Sequence, residues 1–355
     1  MTMRQDRWFE YVGNVHVHSS YSDGTFSPPQ IAGVAKNIGL DFVIINDHDY
    51  MTKDLHLEHE GFYDDLLLLM GLEIGGRYHH YLAFDIKEMI PGRGLTPQQV
   101  IDQVNEQGGF GFLAHPFEKG MPFAEKSVAY TWNDLSVDGY TGLCIWNFTS
   151  RWKEGIRSPL HGVFLIVFKP QFLKGPSKRT LRFWDRKCRE RQVVAIGGSD
   201  AHGSRFKWGP LVLRPLSYHF LLQSINIHIL LKEPLSKEFG KAKAQVYEAM
   251  KKGSLYISQD GLKRAKGFNF YYSSCSGLVA GMGERTGYSK GWLVINLPLE
   301  GKIRVLRNGN PIIHETGKQL QVKILKPGVY RVEAYYHLPL FGWRPWIFSN
   351  PIWLL

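Results

Sequence analysis

The chain has 355 residues, 44% hydrophobic and 21% charged, a balance that supports one large or two ordinary folded domains and excludes a disordered or low-complexity polymer. Lys and Arg outnumber Asp and Glu by 43 to 32, so the formal net charge is +11 and the field favours anionic ligands. Three cysteines, Cys144, Cys188 and Cys275, form no C-x-x-C pair, which argues against a disulfide framework and a thiolate zinc site.

The first ten residues hold no apolar core of signal-peptide length, and apolar runs such as 163–168 are too short to span a bilayer. The expectation is a cytoplasmic protein with no membrane partner. Residues 12–17 form an apolar run ending in His16-Val17-His18, and alternate residues of a strand face the same way, so both imidazoles leave it on one side. That is a metal-ligand geometry. Ser27-Pro28-Pro29-Gln30 reads as a capping box with proline at the first helical position, followed by Ile31, Val34, Ala35 and Ile38 at helical spacing and by Gly39 as a stop. Residues 42–45 read as a buried parallel strand that runs directly into Asn46-Asp47-His48-Asp49.

Residues 53–60 are polar, and His56 and His59 read as exposed. The apolar strand at 66–74 ends in Glu73, and a buried carboxylate there needs a cationic partner, for which a metal ion would serve. Residues 78–84, YHHYLAF, read as a strand opening with His79 and His80, only one of which can face a site. The face with Tyr78, His80, Leu82 and Phe84 is the more apolar, but alternation alone does not choose. A second capping box, Thr96-Pro97-Gln98-Gln99, starts a helix to Gln107, Gly108-Gly109 ends it, and a strand at 110–114 runs into His115-Pro116.

Residues 143–146 read as a strand and 177–191 as a helix with a basic, solvated face. The strand at 193–196 enters Gly197-Gly198-Ser199-Asp200-Ala201-His202-Gly203, where Asp200 and His202 repeat the spacing of His16 and His18. His161, His219, His228, His314 and His337 fit no such pattern and read as structural or surface residues. A helix at 241–252, Gly253 and a strand at 255–258 follow. Beyond about residue 266 come short alternating strands at 292–297, 303–307, 319–324 and 330–335, with turns at Asn308-Gly309 and Pro327-Gly328.

The segments HVHSSYSDG and NDHD resemble the first two motifs of the polymerase and histidinol phosphatase (PHP) family, and Glu73 with His80, Ala114-His115-Pro116 and GGSDAHG resemble its later ones. The resemblance covers roughly the first two thirds of the chain. Asn46 stands where the family usually has threonine. The last part resembles the β-sandwich that follows some PHP domains, in the branch that includes carbaryl-type hydrolases. What the resemblance implies is an α/β chain with a distorted TIM-like (β/α)7 barrel over residues 1–265 and a small all-β sandwich over residues 266–355.

It further implies His16, His18, Asp23, His48, Glu73, His80, His115, Asp200 and His202 as metal ligands, the choice of His80 over His79 coming from the family's spacing. Nine N and O ligands exceed the needs of one tetrahedral ion, so two or three divalent ions, Zn, Mn or Fe, are expected to share bridging carboxylates such as Glu73. The implied activity is a phosphoesterase that cleaves a small phosphomonoester with a metal-bridging hydroxide, with Asp200, His202 and Glu73 catalytic and Asp200 moving the proton. Arg205 and Lys207 follow the last motif, as contacts for substrate phosphate or as a solvated loop. Other readings stay open: a carbaryl-type amide or ester hydrolase at the same site, a non-catalytic metal-bound module, or a nucleic-acid binder suggested by charge but lacking a base-reading module. A homo-oligomer is compatible with all of them.

Overall fold

The strands expected to lead to the ligands form, the one read at 78–84 only from Tyr81 onward, in the computed structural model, which describes residues 8–76, 78–122, 130–204, 206–208, 211–277 and 279–355. β1 (Phe9–Val17) runs into the histidine pair, and α1 (Pro28–Asn37) and β2 (Phe42–His48) follow. A short β3 (Gly61–Tyr63) precedes β4 (Leu66–Ile74) and β5 (Tyr81–Phe84). Then come α2 (Pro97–Glu106), β6 (Phe110–Leu113) and β7 (Gly142–Asn147). Four helices, α3 (Phe148–Lys153), α4 (Pro159–Val167), α5 (Lys169–Phe172) and α6 (Lys178–Glu190), lead to β8 (Val194–Gly198). β9 (Phe206–Trp208) and β10 (Leu211–Leu213) form a separate antiparallel pair, before α7 (Tyr218–Leu221), β11 (Ile225–Leu231), α8 (Phe239–Lys252) and β12 (Leu255–Gln259).

Local chemistry accounts for the helix ends. Thr96 Oγ1 accepts from Gln99 N and Gln99 Oε1 accepts from Thr96 N, the reciprocal pair that the capping box requires. Gly39 and Gly108 follow α1 and α2 at φ of 81° and 79°, where a side chain would be strained.

The result is a mixed α/β architecture built on one large sheet, and it departs from the expected barrel of parallel strands. β1–β2, β2–β4, β6–β7 and β7–β8 are parallel, but β4–β5 and β5–β6 are antiparallel. Only residues 75–80 separate β4 from β5, too few for a crossover, so β5 must return alongside β4. Nor does the sheet close. Where a barrel would join β8 to β1 by a ladder there is a single bridge, Val17 to Ala201, with backbone bonds from Ser199 N to Val15 O and from His18 N to Ala201 O.

The remaining strands are β13 (Asn269–Ser274), β14 (Val279–Gly281), β15 (Arg285–Thr286), β16 (Gly291–Arg307), β17 (Asn310–Ile324), β18 (Gly328–Leu338), β19 (Gly342–Ser349) and β20 (Ile352–Leu354). The strands expected at 292–297 and 303–307 merge into β16, which pairs with β17 across Asn308-Gly309, both at positive φ as a type I′ turn requires. These strands have a core of their own, with Phe270, Leu293, Ile303, Val332 and Trp346 buried. Yet β19 pairs with β12 as well as with β18, so they continue the large sheet instead of standing apart as a sandwich. Side chains tie the two parts further. Asn350 accepts from Ala195 N and donates to Ala195 O, occupying the edge of β8 that faces away from β7. Trp353 donates to Cys188 O, and Arg331 makes a two-pronged pair with Asp185.

His228, read from sequence as a structural or surface residue, is fully buried on β11, with Nδ1 2.7 Å from Glu10 Oε1 and Nε2 2.9 Å from Asp260 Oδ2. Burial alone would lower its pKa, but Asp260 and then Glu10 outweigh it and hold it at about 9, against an ordinary 6.5. A raised folded-state pKa means that the stability from this cluster is complete below about pH 6.5 and is lost as pH rises through about 9. The stability gap between wild type and His228→Gln, roughly 3 kcal/mol from the shift, is therefore expected to narrow across that window in thermal melts. A gap that stays constant with pH would contradict the ion pairing. Among the described residues no helix is long and apolar enough to cross a membrane.

Candidate metal centre

The site is assembled by strand ends. His16 and His18 leave β1, His48 ends β2, and Glu73 lies near the end of β4. His115 follows β6, and Asp200 and His202 follow β8. Asp23 comes from the loop after β1 and His80 from the residue before β5. All nine expected residues meet in overlapping groups: His18, Asp23, His48 and His202; His16, His115 and Asp200; His16, His18 and Glu73; His48, Glu73 and His80.

Glu73 is the hub. Its Oε2 lies 3.1 Å from His16 Nε2, 3.3 Å from His18 Nε2 and 3.2 Å from His48 Nδ1, while Oε1 lies 2.8 Å from His80 Nδ1 and 3.4 Å from His115 Nε2. Asp200 Oδ1 is 3.4 Å from His16 Nε2 and 3.3 Å from His18 Nε2. Asp23, more exposed, is 3.2 Å from His202 Nε2. Although these distances are short, His16 Nε2, both ring nitrogens of His18 and His48 Nδ1 are buried without a hydrogen-bond partner among the described residues. Buried polar atoms are rarely left so. Ring nitrogens and carboxylate oxygens that converge without hydrogen-bond geometry fit a donor set for divalent cations, and the mixture of N and O without thiolate suits Zn²⁺, Mn²⁺ or Fe²⁺.

The electrostatics agree. Burial would raise Glu73 and Asp200, yet the surrounding imidazoles, His16 first in both cases, hold both carboxyls well below the usual range. Burial would lower His18, yet Asp200 and Glu73 drive it well above 6.5. His48 goes the other way, to about 3, through burial and then the positive charge of His18. The carboxylates thus demand positive charge that the imidazoles, repelling one another, cannot all supply. A bound cation satisfies every member at once.

Neighbouring groups orient the candidates. Asp47 accepts from Ser19 N and Ser19 Oγ and holds the loop that carries Asp23, while Asp49 accepts from Gly75 N and Gly92 N and holds the loop that carries His80. Alternation along β2 thus sends His48 inward and both aspartates to support. His115 Nδ1 donates to Tyr130 O and His202 Nδ1 to Asp200 O, which turns each Nε2 toward the carboxylates, Glu73 and Asp23 respectively. Asn147 Nδ2 donates to Asp200 Oδ2 at 3.2 Å. Asn46, the residue that departs from the family pattern, accepts from His16 N.

Two expectations about backbone shape need correction. His16 and His18 do not share the face of a regular strand: register shifts between Asn14 and Val17, and His16 has φ of 62°. Asp200 and His115 also have positive φ, 53° and 28°, so three of the nine sit in conformations uncommon for non-glycine residues, as functional sites often do. Likewise β5 begins at Tyr81, leaving both His79 and His80 in the preceding loop.

His80 nevertheless turns to Glu73, while His79 Nε2 accepts from Asn133 N and Asp134 N away from the cluster. His80→Ala is accordingly expected to lose an ion, and His79→Ala to keep the full metal content. Metal analysis of the two purified variants checks this, and the reverse pattern would exchange their roles.

A cavity of about 310 Å³ opens onto the cluster, lined also by Tyr50, Tyr130, Thr149, Lys153, Leu216 and Leu221. Sequence reading missed Tyr130, Asn147 and Lys153, which fall on segments with no motif; only the placement of Asn147 at a strand end before a helix hinted at it. Arg205 lies outside the described residues, as does the side chain of Lys207. His56 and His59 lie beside Tyr21, His56 stacked on its ring and His59 Nε2 bonded to its hydroxyl.

No family model matches the chain. An uncharacterized protein of Methanocaldococcus jannaschii is 29% identical over 142 residues, spanning 36% of this chain and 77% of that one. Among solved structures, a two-domain protein of Bacteroides vulgatus containing a predicted PHP-like metal-dependent phosphoesterase overlaps with a TM-score of 0.46 at 14% identity, covering 97% of this chain and 95% of the other. PsfC of Pseudomonas syringae overlaps at 0.40 and 13%, covering 66% and 88%. Overlaps of this size assign nothing to individual residues.

Proposed function

We propose that the chain is a metal-dependent hydrolase of the PHP type, a phosphoesterase for a small phosphomonoester, with residues 1–265 as the catalytic unit and 266–355 as an accessory one. The observation that carries this reading is the convergence of unpartnered, buried ring nitrogens on Glu73 and Asp200. His16, His18, Asp23, His48, Glu73, His80, His115, Asp200 and His202 would hold two or three divalent ions, with Glu73 as the shared ligand. Such ions lower the pKa of a coordinated water toward about 7 and accept phosphate oxygens in place of solvent.

The protein's own groups do the rest. Lys153, on the cavity wall with Nζ 3.3 Å from Glu118 Oε1, adds a cation for the non-bridging phosphate oxygens, and Leu216 and Leu221 offer an apolar wall to the organic part. Asp200 Oδ1 takes a proton from the attacking water as its oxygen bonds to phosphorus. Asp200 then gives that proton to the departing alkoxide as the ester bond breaks. Phosphate and an alcohol leave.

Chelation is expected to abolish hydrolysis of a phosphomonoester and re-addition of Zn²⁺ or Mn²⁺ to restore it, with inorganic phosphate inhibiting competitively. If phosphate is without effect while carboxylate anions inhibit, the same residues serve an amide or ester hydrolase. Full activity in chelated protein would remove the metal from the mechanism.

A further inference from the structure

α4 exposes side chains that a folded surface seldom shows together. Leu160, Val163, Phe164 and Val167 lie at i, i+3, i+4 and i+7, one stripe of the helix, and are 84%, 60%, 42% and 66% exposed. Only Gly162 and Leu165 of this helix are buried. Phe168 and Phe172 carry the apolar surface to Phe341, with ring centroids 6.2 and 5.4 Å away, in the turn between β18 and β19. Beside it Leu340 is wholly exposed. Two segments far apart in sequence therefore build one apolar surface, of the sort that marks an interaction site.

Its electrostatic setting is one-sided. Residues 155–184 include Arg157, Lys169, Lys174, Lys178, Arg179 and Arg182 and no Asp or Glu, and residues 334–355 contain no acid either. Trp343 lies under Lys302, 4.8 Å from the ammonium to the ring, and the guanidinium of Arg344 is 5.7 Å from the ring of Phe172. Apolar side chains, flanking tryptophan and an excess of basic residues are the requirements of the boundary between water and an anionic bilayer.

We propose that this surface docks on an anionic lipid membrane, with α4 lying in the interface plane, its stripe toward the acyl chains and the Leu340 turn beside it. The nine residues of α4 are too few to span, which suits a helix that lies on the bilayer. A second copy of the chain is the poorer occupant, because two-fold pairing would set the same basic residues against themselves. A nucleic acid would meet the charge and leave the stripe in water. The proposal replaces the expectation of no membrane partner and is independent of the reaction proposed above.

Flotation of the full chain with vesicles tests it. Wild type is expected to float with phosphatidylcholine vesicles containing about one third phosphatidylglycerol, to stay behind with pure phosphatidylcholine, and to be released by salt. Val163→Glu and Leu340→Glu, both at exposed positions away from the metal cluster, are each expected to weaken vesicle affinity by about tenfold or more while melting as wild type does. Absence of flotation with anionic vesicles overturns the proposal, as does unchanged binding by both folded variants. So does light scattering that finds a lipid-free dimer which either variant converts to a monomer, since the surface would then join two copies.

Discussion

Glu73→Gln is expected to lose ions and to lower turnover by about a thousandfold or more, the largest single effect that the site allows. The carboxylate touches five imidazoles with its two oxygens. An amide keeps the shape but removes the negative charge that holds the surrounding imidazoles together, and it is a poorer ligand than a carboxylate for two ions at once. Because Glu73 is fully buried, the loss cannot be relieved by water. Metal content and kcat measured on the same preparation check the expectation. Wild-type occupancy in a folded Glu73→Gln would show that Glu73 is not the shared ligand.

Asp200→Asn is expected to reduce turnover by roughly 10²–10⁴-fold, because an amide cannot carry the proton that Oδ1 is proposed to move. Ion content should fall less than in the Glu73 variant, since Asp200 Oδ1 neighbours His16, His18 and His202 but not His48, His80 or His115 within ion-pair distance. The two effects separate in a titration of Mn²⁺ against activity. Saturating metal should restore occupancy and leave kcat low. Recovery of wild-type kcat at high metal would remove Asp200 from proton transfer and keep it as a ligand only.

Much of this centre was legible because strand ends announce themselves. An apolar run that terminates in His16 and His18, in His48, in Glu73 or in His115 violates the ordinary rule for buried strands, and the violation repeats in register along the chain. The spacing within GGSDAHG was legible for the same reason. What was not legible were features set by neighbours in space. The bulge that turns His16 inward depends on Asn46 accepting its N–H from another strand. The reversal of β5 follows from the length of one loop, which reads correctly only once pairing is known. Tyr130 and Lys153 reach the cavity from segments whose sequence carries no periodic signal, Asn147 reaches Asp200 from the end of a strand with no motif, and His228 gave no hint of the two carboxylates that close on it. In the last part the strands were seen, while their continuity with the large sheet was hidden, since β12 and β19 are some 85 residues apart.

The contact of Asn350 with β8 bears on solubility as well as on shape. A strand that is not closed into a barrel leaves backbone donors and acceptors along one side, a template onto which a foreign strand can add. Ala195 has both its N–H and its C=O taken by one side-chain amide, and farther along Ser199 is taken by Val15. A single asparagine between β19 and β20 thus acts as a plug on the open margin that leads straight to Asp200. Loss of the segment that carries Asn350, by proteolysis or a premature stop, would uncover that margin, and the damaged chains would be drawn to one another through the very strand that delivers Asp200 to the cluster.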